Sequence, residues 1–510
     1  MDCIPASRAL GPAWNDRRIG IAAAVAAAVL YGLLAGLWTP RGPITASEAL
    51  SAVLISLAVG GFAGFVTRSR WAMLLAPVAF AAAFELTRMG AVGPLVDGIR
   101  PGSPFGILAF ALGRGFHGVL ALVPMLLGAA LGAAAARRLN GGGEARHGRR
   151  RVGLWARRGV TAMVSLALLV LTAAIVKPAG TDAILGGDGK PLAGSLAELT
   201  RVEVGGHELA MMIRGNSAKK PVLLFLAGGP GGTELGAMRR HGRALERDFV
   251  VATLDQRGAG KSYDELDPTS TMTLDRAVSD TIEVTDYLRE RFGQEKIYLA
   301  GQSWGTILGV LAVQQHPDRF RAYVGIGQMV DPAATDRVFY RDTLAWARRT
   351  NNAALVGTLT ETGPPPYEDM LDYESVLSDG EEIYPYDHSR NSEGAGAFAE
   401  NIFVEEYGLM EKVHNLGAFM DVFSVLYPQL QGIDFRKDAA KLEVPVYLVQ
   451  GRHEAPGRAR PAEQWFRMLD APKKQSVVFD TSGHRPLFEQ PDRFHQFMTK
   501  TVLPETRPSR

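Results

Sequence analysis

The chain has 510 residues, more than one ordinary domain usually holds, so we expect at least two folded units. Its net charge of +2 is unevenly distributed, because residues 1–177 hold 18 Lys/Arg against 6 Asp/Glu and residues 178–510 carry a net charge of −10. The single cysteine, Cys3, excludes an intramolecular disulfide.

Residues 1–177 are predicted to be a transmembrane region. Apolar segments stand at about 19–38, 48–67, 71–87, 105–136 and 159–176. A membrane span needs about 20 apolar residues, within a range of about 17 to 25. The first, second and fifth segments fit well. The third is marginal because it contains Pro77 and Glu85, and the fourth is long enough that we place its span at 116–136. No signal-peptide cleavage site is evident after the first segment.

The arginines indicate the orientation of this region. The stretch between the fourth and fifth segments, 137–158, carries eight of them. Basic loops face the cytoplasm, so this loop is predicted to be cytoplasmic and everything after the fifth span extracytoplasmic. The arginine cluster is also suited to binding anionic lipid head groups. We prefer a cytoplasmic loop beside the membrane, with or without such lipid contacts, to a nucleic-acid-binding role. Glu85, Arg88 and His117 are candidates for a transport path, but they lie near span ends, and the region is interpreted as an anchor.

After a Gly/Pro/Asp-rich linker at 178–196, the pattern changes to that of a soluble domain. A hairpin is predicted through Gly205 and Gly206, followed by apolar strands in PVLLFLAGGPGG, FVVATLDQRG, KIYLAGQSWG, RAYVGIGQ, VPVYLVQG and QSVVFDTSGH. Helices are predicted at 274–292, 305–315 and 462–469. This alternation indicates an α/β fold with a mostly parallel sheet. The interval 330–440 interrupts the alternation and is predicted to be a helical cap, which separates core segments 197–329 and 441–505.

The stretch DQRGAGKS at 255–262 superficially matches a nucleotide-binding P-loop. The P-loop pattern requires glycine where Asp255 stands, and a helix directly after the serine. The residues after Ser262 include Pro268 and several turn formers, so no helix is predicted there. A phosphate-binding role is therefore rejected.

A nucleophile elbow is predicted at 301–305, GQSWG, between an apolar strand and a helix. Ser303 is the candidate nucleophile, and it needs a neighbouring base. His484 is the candidate base because it follows the final strand in a glycine-flanked loop, whereas His316 and His453 are less suitably placed. Glu454, after the penultimate strand, is the candidate orienting acid, with Asp480 as an alternative. The oxyanion donors are predicted to be the N–H groups of Trp304 and Gly229, with Gly228 next.

AGGPGG, DQRGAGKS, GQSWG, GRHE and SGHRPLFEQPDRF, in this order, resemble the proline iminopeptidase-like branch of the α/β-hydrolases over roughly residues 200–500. The resemblance implies an α/β-hydrolase fold with a helical cap, a Ser303–Glu454–His484 triad, and no metal or organic cofactor. In that family's motif DQRGxGxS, Asp255 and Arg257 are interpreted as loop-fixing residues.

Two departures from the family pattern concern the substrate. Ala227 stands where the usual HGGPG motif has histidine, and Glu454 replaces the usual aspartate. Proline iminopeptidases hold the substrate amine with cap carboxylates. The cap here contains Glu400, Glu405 and Glu406, none of which aligns with that role.

The sequence thus predicts a multi-pass membrane protein with an extracytoplasmic serine hydrolase domain. Its substrate is expected to be a short peptide cleaved at the N-terminal residue, or a related amide or ester, and the lipid bilayer is its other expected partner. No nucleic-acid partner is expected. The alternatives are a carboxylesterase or lipase-like enzyme, and a non-catalytic receptor or transport component that uses the hydrolase fold for binding.

Overall fold

The computed structural model describes residues 16–139, 150–377, 380–384 and 397–506. These residues belong to two compact units, Met1–Pro178 with Gly408–Val413 and Ala179–Tyr407 with His414–Arg510. The predictions for Cys3, Arg146 and Arg149 lie outside the described residues.

The described part of the first unit consists of helices joined by loops. Its helices are α1 Arg17–Trp38, α2 Ala46–Thr67, α3 Ala72–Thr87, α4 Pro104–Phe110, a π-helical turn Ala111–Gly115, α5 Phe116–Leu139 and α6 Arg150–Val176. Four described helices are long and apolar enough to cross a membrane: Arg17–Trp38, Ala46–Thr67, Pro104–Leu139 and Trp155–Val176. The third predicted segment forms the 16-residue α3, which is shorter than a usual span. The structure therefore supports four of the five predicted spans by length and composition.

The fourth predicted span, 116–136, lies within a longer helical segment, Pro104–Leu139, whose 36 residues exceed what one membrane crossing needs. Proline suits the first position of a helix, and the Ser103 side chain caps the start by accepting a hydrogen bond from the Gly106 N–H. Arg114, which suggested a later start, is accommodated by Glu85 at 3.2 Å and by the carbonyl groups of Val96 and Asp97 at 2.9 Å.

The second unit is built on an eight-stranded mixed sheet. Its strands are β1 Leu196–Val204, β2 His207–Gly215, β3 Val222–Leu226, β4 Val250–Leu254, β5 Ile297–Gln302, β6 Phe320–Ile326, β7 Val446–Gly451 and β8 Lys474–Phe479. The spatial order is β1-β2-β4-β3-β5-β6-β7-β8. The pairs β1–β2 and β2–β4 are antiparallel and the others are parallel, which confirms the predicted mostly parallel sheet.

The core lies along the central strands, where every residue of β3, β4, β5 and β7 is buried. Such continuous apolar runs are typical of strands covered on both faces. The predicted hairpin joins β1 to β2, with Val204 opposite His207 and with Gly205 and Gly206 at φ 54° and 79°. Positive φ values of this kind favour glycine, which accounts for the two adjacent glycines.

Helices follow the strands of the core on both sides of the cap. They are α7 Leu235–His241, α8 Leu274–Phe292, α9 Trp304–Gln315, α17 Pro456–Met468, α18 Pro486–Glu489, α19 Pro491–Phe497 and α20 Leu503–Thr506, with a π-helical turn Met498–Val502 before α20. The 3-10 turns are Gly242–Arg247, Gly260–Glu265, Thr269–Thr271, Pro317–Arg319, Met370–Tyr373 and Tyr427–Leu430. The helix predicted at 274–292 is confirmed, and the one predicted at 305–315 begins one residue earlier.

The chain between β6 and β7 is helical, as predicted for the cap. Its described helices are α10 Pro332–Arg349, α11 Ala353–Thr362, α12 Glu374–Leu377, α13 Gly380–Ile383, α14 Ala397–Ile402, α15 Leu409–Leu426 and α16 Phe435–Asp438.

The helix predicted at 462–469 is wrong in its start, because α17 begins at Pro456. Two prolines in this segment argue for a turn, yet both are tolerated. Pro456 occupies the first turn, where no N–H is needed. Pro461 leaves the carbonyl of Gly457 without its intrahelical donor, and the Thr335 hydroxyl donates to that carbonyl at 2.9 Å. A tertiary hydrogen bond thus replaces the one that the proline removes.

Candidate active site

Ser303 lies in the tight turn between β5 and α9, with φ 52° and ψ −118°. Non-glycine residues rarely adopt positive φ, so this backbone must be supported by its surroundings. The flanking glycines make the turn possible, because a Cβ on Gly301 would lie 2.3 Å from the Gly305 carbonyl oxygen, and one on Gly305 would lie 2.3 Å from the Leu226 carbonyl oxygen. The turn presents Ser303 at the carboxyl end of β5, as the elbow motif predicts.

The structure brings Ser303, His484 and Glu454 together in one hydrogen-bonded chain. His484 Nε2 lies 2.8 Å from Ser303 Oγ, and His484 Nδ1 lies 2.6 Å from Glu454 Oε2. Glu454 follows β7 and His484 follows β8, so the parallel strands deliver both residues to the same edge of the sheet. At Gly327 a Cβ would lie 2.6 Å from the His484 carbonyl oxygen, so only glycine lets the histidine loop approach this closely.

The alternatives weighed from the sequence lie elsewhere. His316 follows the last residue of α9 as its C-cap. Asp480 is paired with Arg493 and accepts a hydrogen bond from Gln490, so it serves the end of β8 rather than His484. Among the described residues, the acid bonded to the His484 ring is Glu454.

A third charged residue completes the electrostatics of the site. Arg458 Nε donates to Glu454 Oε1 at 2.8 Å, which leaves the other carboxylate oxygen facing His484. Burial alone would raise the pKa of Glu454, but the charges and hydrogen bonds of Arg458 and His484 outweigh it and hold that pKa at about 2. Burial, and then the Arg458 charge, lower the pKa of His484, against the opposing effect of Glu454. The arrangement therefore keeps Glu454 ionised and His484 neutral near pH 7.

In the glycine loop after β3, the N–H groups of Gly228 and Gly229 were both candidate oxyanion donors, and their contacts differ. The Gly228 N–H donates to Glu234 Oε2 at 3.1 Å and is therefore already engaged. Gly229, the first choice from the sequence, borders the cavity beside Ser303, with φ 141°. Trp304 is the first residue of α9, so its N–H has no acceptor within the helix.

The loop DQRGAGKS fixes the surroundings of the elbow. Asp255 accepts hydrogen bonds from the Lys261 N–H at 2.9 Å and from Thr233 Oγ1 at 2.5 Å, and Arg257 Nε donates to Asp280 at 2.8 Å. A short 3-10 turn, Gly260–Glu265, does begin here, although the sequence predicted no helix; it is not the α-helix that a P-loop needs. The loop-fixing interpretation of Asp255 and Arg257 agrees with these contacts.

Gln256, in the same loop, was not singled out from the sequence. Its Nε2 donates to the Ala227 carbonyl at 3.1 Å, and its Oε1 accepts from Trp304 Nε1 at 2.6 Å. It therefore links the start of the glycine loop to the residue after the nucleophile. The DQRG motif was the available signal, but the pattern does not reveal which partners its side chains reach.

A cavity of about 300 Å³ opens above Ser303. Its lining includes Gly229, Ser303, His484, Arg458, Arg485 and the cap residue Phe419. Two of the three cap acids considered from the sequence are engaged elsewhere. Glu400 lies 3.1 Å from His241 Nε2, and Glu406 accepts from Thr181 Oγ1 at 3.0 Å. Within the described residues, none of Glu400, Glu405 and Glu406 borders this cavity.

The strand order, the cap between β6 and β7, and the elbow with its adjacent histidine and acid define an α/β hydrolase. Residues 221–491 match the family described as alpha/beta hydrolase fold. The chain therefore belongs to the α/β-hydrolase family, and it is a hydrolase of the proline iminopeptidase-like kind.

The chain is similar to several known proteins. The chain is 30% identical over 311 residues to the "Probable aminopeptidase YbaC" of Bacillus subtilis (strain 168), which covers 60% of this chain and 96% of that protein. It is 33% identical over 140 residues to a "Probable proline iminopeptidase" of Leptolyngbya boryana, covering 28% of this chain and 41% of that protein. Among solved structures, a proline iminopeptidase-related protein from Thermus thermophilus is 20% identical with a TM-score of 0.45, covering 61% of this chain and 99% of that one.

Proposed function

We propose that this chain is a membrane-anchored serine hydrolase that releases the N-terminal residue of a short peptide, or cleaves a related amide or ester, through an acyl-enzyme. The observation that carries the proposal is the continuous hydrogen-bonded chain from Ser303 Oγ through His484 to Glu454, with distances of 2.8 and 2.6 Å. A serine, a base and an acid at such distances are the parts required for nucleophilic catalysis.

In the proposed reaction, Ser303 Oγ attacks the substrate carbonyl carbon while His484 Nε2 takes the hydroxyl proton. Glu454 stabilises the resulting imidazolium through Nδ1. The imidazolium then gives its proton to the leaving group, and the carbonyl re-forms as an acyl-serine. Water, deprotonated by His484, attacks the acyl-serine and restores the free Ser303 hydroxyl.

The developing oxyanion is assigned to the N–H groups of Gly229 and Trp304. The first borders the cavity, and the second begins α9, where the positive end of the helix dipole favours negative charge. The Gly228 N–H is unsuitable because it already donates to Glu234. Gln256 supports this assignment as a positioning residue, since it holds both segments through Ala227 and Trp304.

The proposed substrate is a small peptide-like molecule. The relatives named as aminopeptidase and proline iminopeptidases support a peptide bond. The cavity volume of about 300 Å³ supports a small substrate, because it lies at the lower end of the range for small-molecule sites, about 300 to 1,000 Å³.

Anchoring is proposed from the helices of the first unit, of which four have the length and apolar composition of membrane spans. The proposed extracytoplasmic location of the hydrolase unit depends only on the last apolar helix, Trp155–Val176, and on the basic stretch 137–158, whose last arginines, Arg157 and Arg158, lie in the first turn of that helix. The proposed location of the hydrolase unit is therefore the same whether or not α3 crosses the membrane.

The enzymatic part is tested on detergent-solubilised full-length protein with a fluorophosphonate probe, followed by turnover of aminoacyl arylamides and 4-nitrophenyl esters. We expect labelling and arylamide turnover by the wild type and neither by Ser303→Ala. Labelling that persists in Ser303→Ala would exclude Ser303 as nucleophile. Turnover of esters with no turnover of arylamides would make the protein an esterase.

The topology is tested by fusing alkaline phosphatase or β-galactosidase to the C-terminus. We expect the phosphatase fusion to be active, since it requires an extracytoplasmic location, and the β-galactosidase fusion to be inactive. The reverse pattern would place the hydrolase unit in the cytoplasm and contradict the proposed orientation.

A further inference from the structure

Two carboxylate–arginine pairs lie at the cavity above Ser303, and Arg458, Arg485 and Glu234 border it. In both pairs the arginine is the more exposed member. The Glu454 side chain is 0% exposed against 22% for the Arg458 side chain. The Glu234 side chain is 8% exposed against 16% for that of Arg485. Arg458 therefore faces the cavity without its carboxylate partner, whereas Arg485 and Glu234 border it as a pair.

Arg458 is held in place by contacts that leave part of its guanidinium unused. Its Nε donates to Glu454 Oε1 at 2.8 Å, and its Cζ lies 4.9 Å from the centre of the Phe339 ring on α10. Within the part of the chain that the structure describes, its two Nη groups have no hydrogen-bond partner. Asp336, another buried carboxyl near it, instead accepts from Tyr427 at 2.6 Å and from Tyr373 at 3.2 Å.

Arg485 differs from Arg458 because its terminal nitrogen is already engaged. Arg485 Nη2 donates to Glu234 Oε1 at 3.2 Å, and its Cζ lies 4.5 Å from the centre of the Phe488 ring. It contributes positive charge to the cavity, whereas Arg458 offers oriented donors. An arginine with a fixed Nε and open Nη groups suits a planar carboxylate.

We propose that Arg458 binds the free C-terminal carboxylate of the substrate, which makes the preferred substrates of this site dipeptides or similarly short peptides. This inference rests on the proposed function, since it assigns the leaving-group side of the same site. In a dipeptide the scissile carbonyl and the carboxylate belong to adjacent residues, so both fit one small cavity.

The test compares L-alanyl-glycine with L-alanyl-glycinamide, which differ in the carboxylate alone, on wild type and Arg458→Gln. A charge-assisted hydrogen bond is worth enough to give the wild type a preference of roughly 10-fold or more in kcat/KM for the dipeptide. We expect Arg458→Gln to lose most of this preference. The comparison of both substrates on both proteins separates binding of the carboxylate from support of Glu454, which would slow the two substrates equally.

The matched control is Arg460→Gln, the same substitution at an exposed residue of the same helix, α17. It should keep the wild-type preference. Equal kcat/KM for the two substrates in the wild type, or an equal loss for both in Arg458→Gln, would overturn the proposal.

A second readout does not depend on turnover. The two compounds are tested, in the same proteins, for protection of Ser303 against fluorophosphonate labelling. Stronger protection by the dipeptide than by its amide in the wild type, lost in Arg458→Gln, would support the carboxylate site even if neither compound were hydrolysed. Such a result would contradict only the peptidase part of the proposed function. Equal protection by both compounds would overturn the carboxylate site itself.

Discussion

Two carboxyl groups of the hydrolase unit are similarly buried but have opposite pKa shifts. Asp255, in the loop after β4, is 0% exposed, and burial raises its pKa to about 6 against the hydrogen bonds from Lys261 and Thr233. Glu454, in the loop after β7, is 6% exposed as a whole residue, yet Arg458 and His484 overcome burial and hold its pKa at about 2. Burial is nearly the same for both carboxyl groups. The Lys261 charge is too weak to offset burial at Asp255, whereas the charges of Arg458 and His484 outweigh burial at Glu454.

The carboxyl of Asp255 fixes a loop, whereas that of Glu454 is suited to catalysis. The hydrogen-bond donors to Asp255 include a backbone N–H and two hydroxyl groups, which stabilise a turn without requiring full ionisation. Glu454 faces an arginine and a histidine, so it stays charged and can support a developing imidazolium. Asp255 and Glu454 both lie in sequence motifs of the family. Only the groups that contact each carboxyl show which of the two is suited to catalysis.

The largest expected effect comes from removing the charge of Glu454. We expect Glu454→Gln to lower kcat/KM by roughly 10³- to 10⁴-fold, because an amide can neither fix the histidine tautomer nor stabilise the imidazolium. The matched change Asp255→Asn should stay within roughly 10-fold of wild type, since it leaves the triad intact. Steady-state kinetics on the folded variants decides between them. A Glu454→Gln enzyme with near wild-type activity would contradict the assigned role.

Asp255 should instead be visible in the pH dependence of stability. Its folded-state pKa, about 6, lies above the ordinary aspartate value of 3.8, so between these values the folded state binds more protons than the unfolded state. The free energy of unfolding should therefore fall as pH rises through this window, by on the order of 2–3 kcal/mol. Asp255→Asn should remove that part of the slope. Chemical unfolding from pH 4 to 7 measures it, and identical slopes in both proteins would contradict the assigned pKa.

A smaller effect is expected at Gln256, which belongs to the same loop as Asp255 but contacts the elbow. Gln256→Ala removes hydrogen bonds to the Ala227 carbonyl and to Trp304 Nε1. We expect kcat to fall by roughly 10-fold with little change in KM, because a positioning residue acts on the oxyanion donors rather than on substrate binding. An increase in KM alone would show that Gln256 shapes the cavity instead.

The sequence identified the residues that follow strands, because parallel strands deliver their carboxyl ends to one edge. Ser303, Glu454 and His484 follow the ends of β5, β7 and β8 by one, three and five residues, and the structure places them within hydrogen-bonding distance. Arg458 could not be identified in this way. Its role depends on the start of α17 at Pro456, on its spacing of four residues from Glu454, and on Phe339 from a distant helix.

The same limit applies to α17, whose start was misplaced, and to the helical segment around Arg114. The Thr335 hydroxyl donates to the Gly457 carbonyl that Pro461 leaves without a donor, and the segment from Pro104 to Leu139 accommodates Arg114 through Glu85. Both are contacts between residues that are far apart in the chain. Local patterns predict an element, but such contacts decide where a proline or a charge is tolerated.

Arg458, a partner of Glu454, should have the smallest effect of these changes. The groups that influence the pKa of His484 are Glu454, which raises it, and Arg458 and Arg485, which lower it together with burial. Because His484 must be neutral to accept the Ser303 proton, activity is lost below its pKa. Arg458→Gln removes one cation, so the pKa should rise and the acid limb of the pH profile should move to higher pH.

The rate of Ser303 labelling by a fluorophosphonate is a suitable measurement for this shift, since the probe does not itself titrate and carries no carboxylate for Arg458 to bind. Arg460→Gln, which changes the net charge by the same amount at an exposed position, should leave the profile in place. A shift to lower pH in Arg458→Gln would mean that Arg458 influences His484 mainly by keeping Glu454 ionised. Without Arg458, Glu454 would become neutral, and His484 would lose the neighbour that raises its pKa. The direction of the shift therefore tells whether the arginine acts on the histidine directly or through the carboxylate between them.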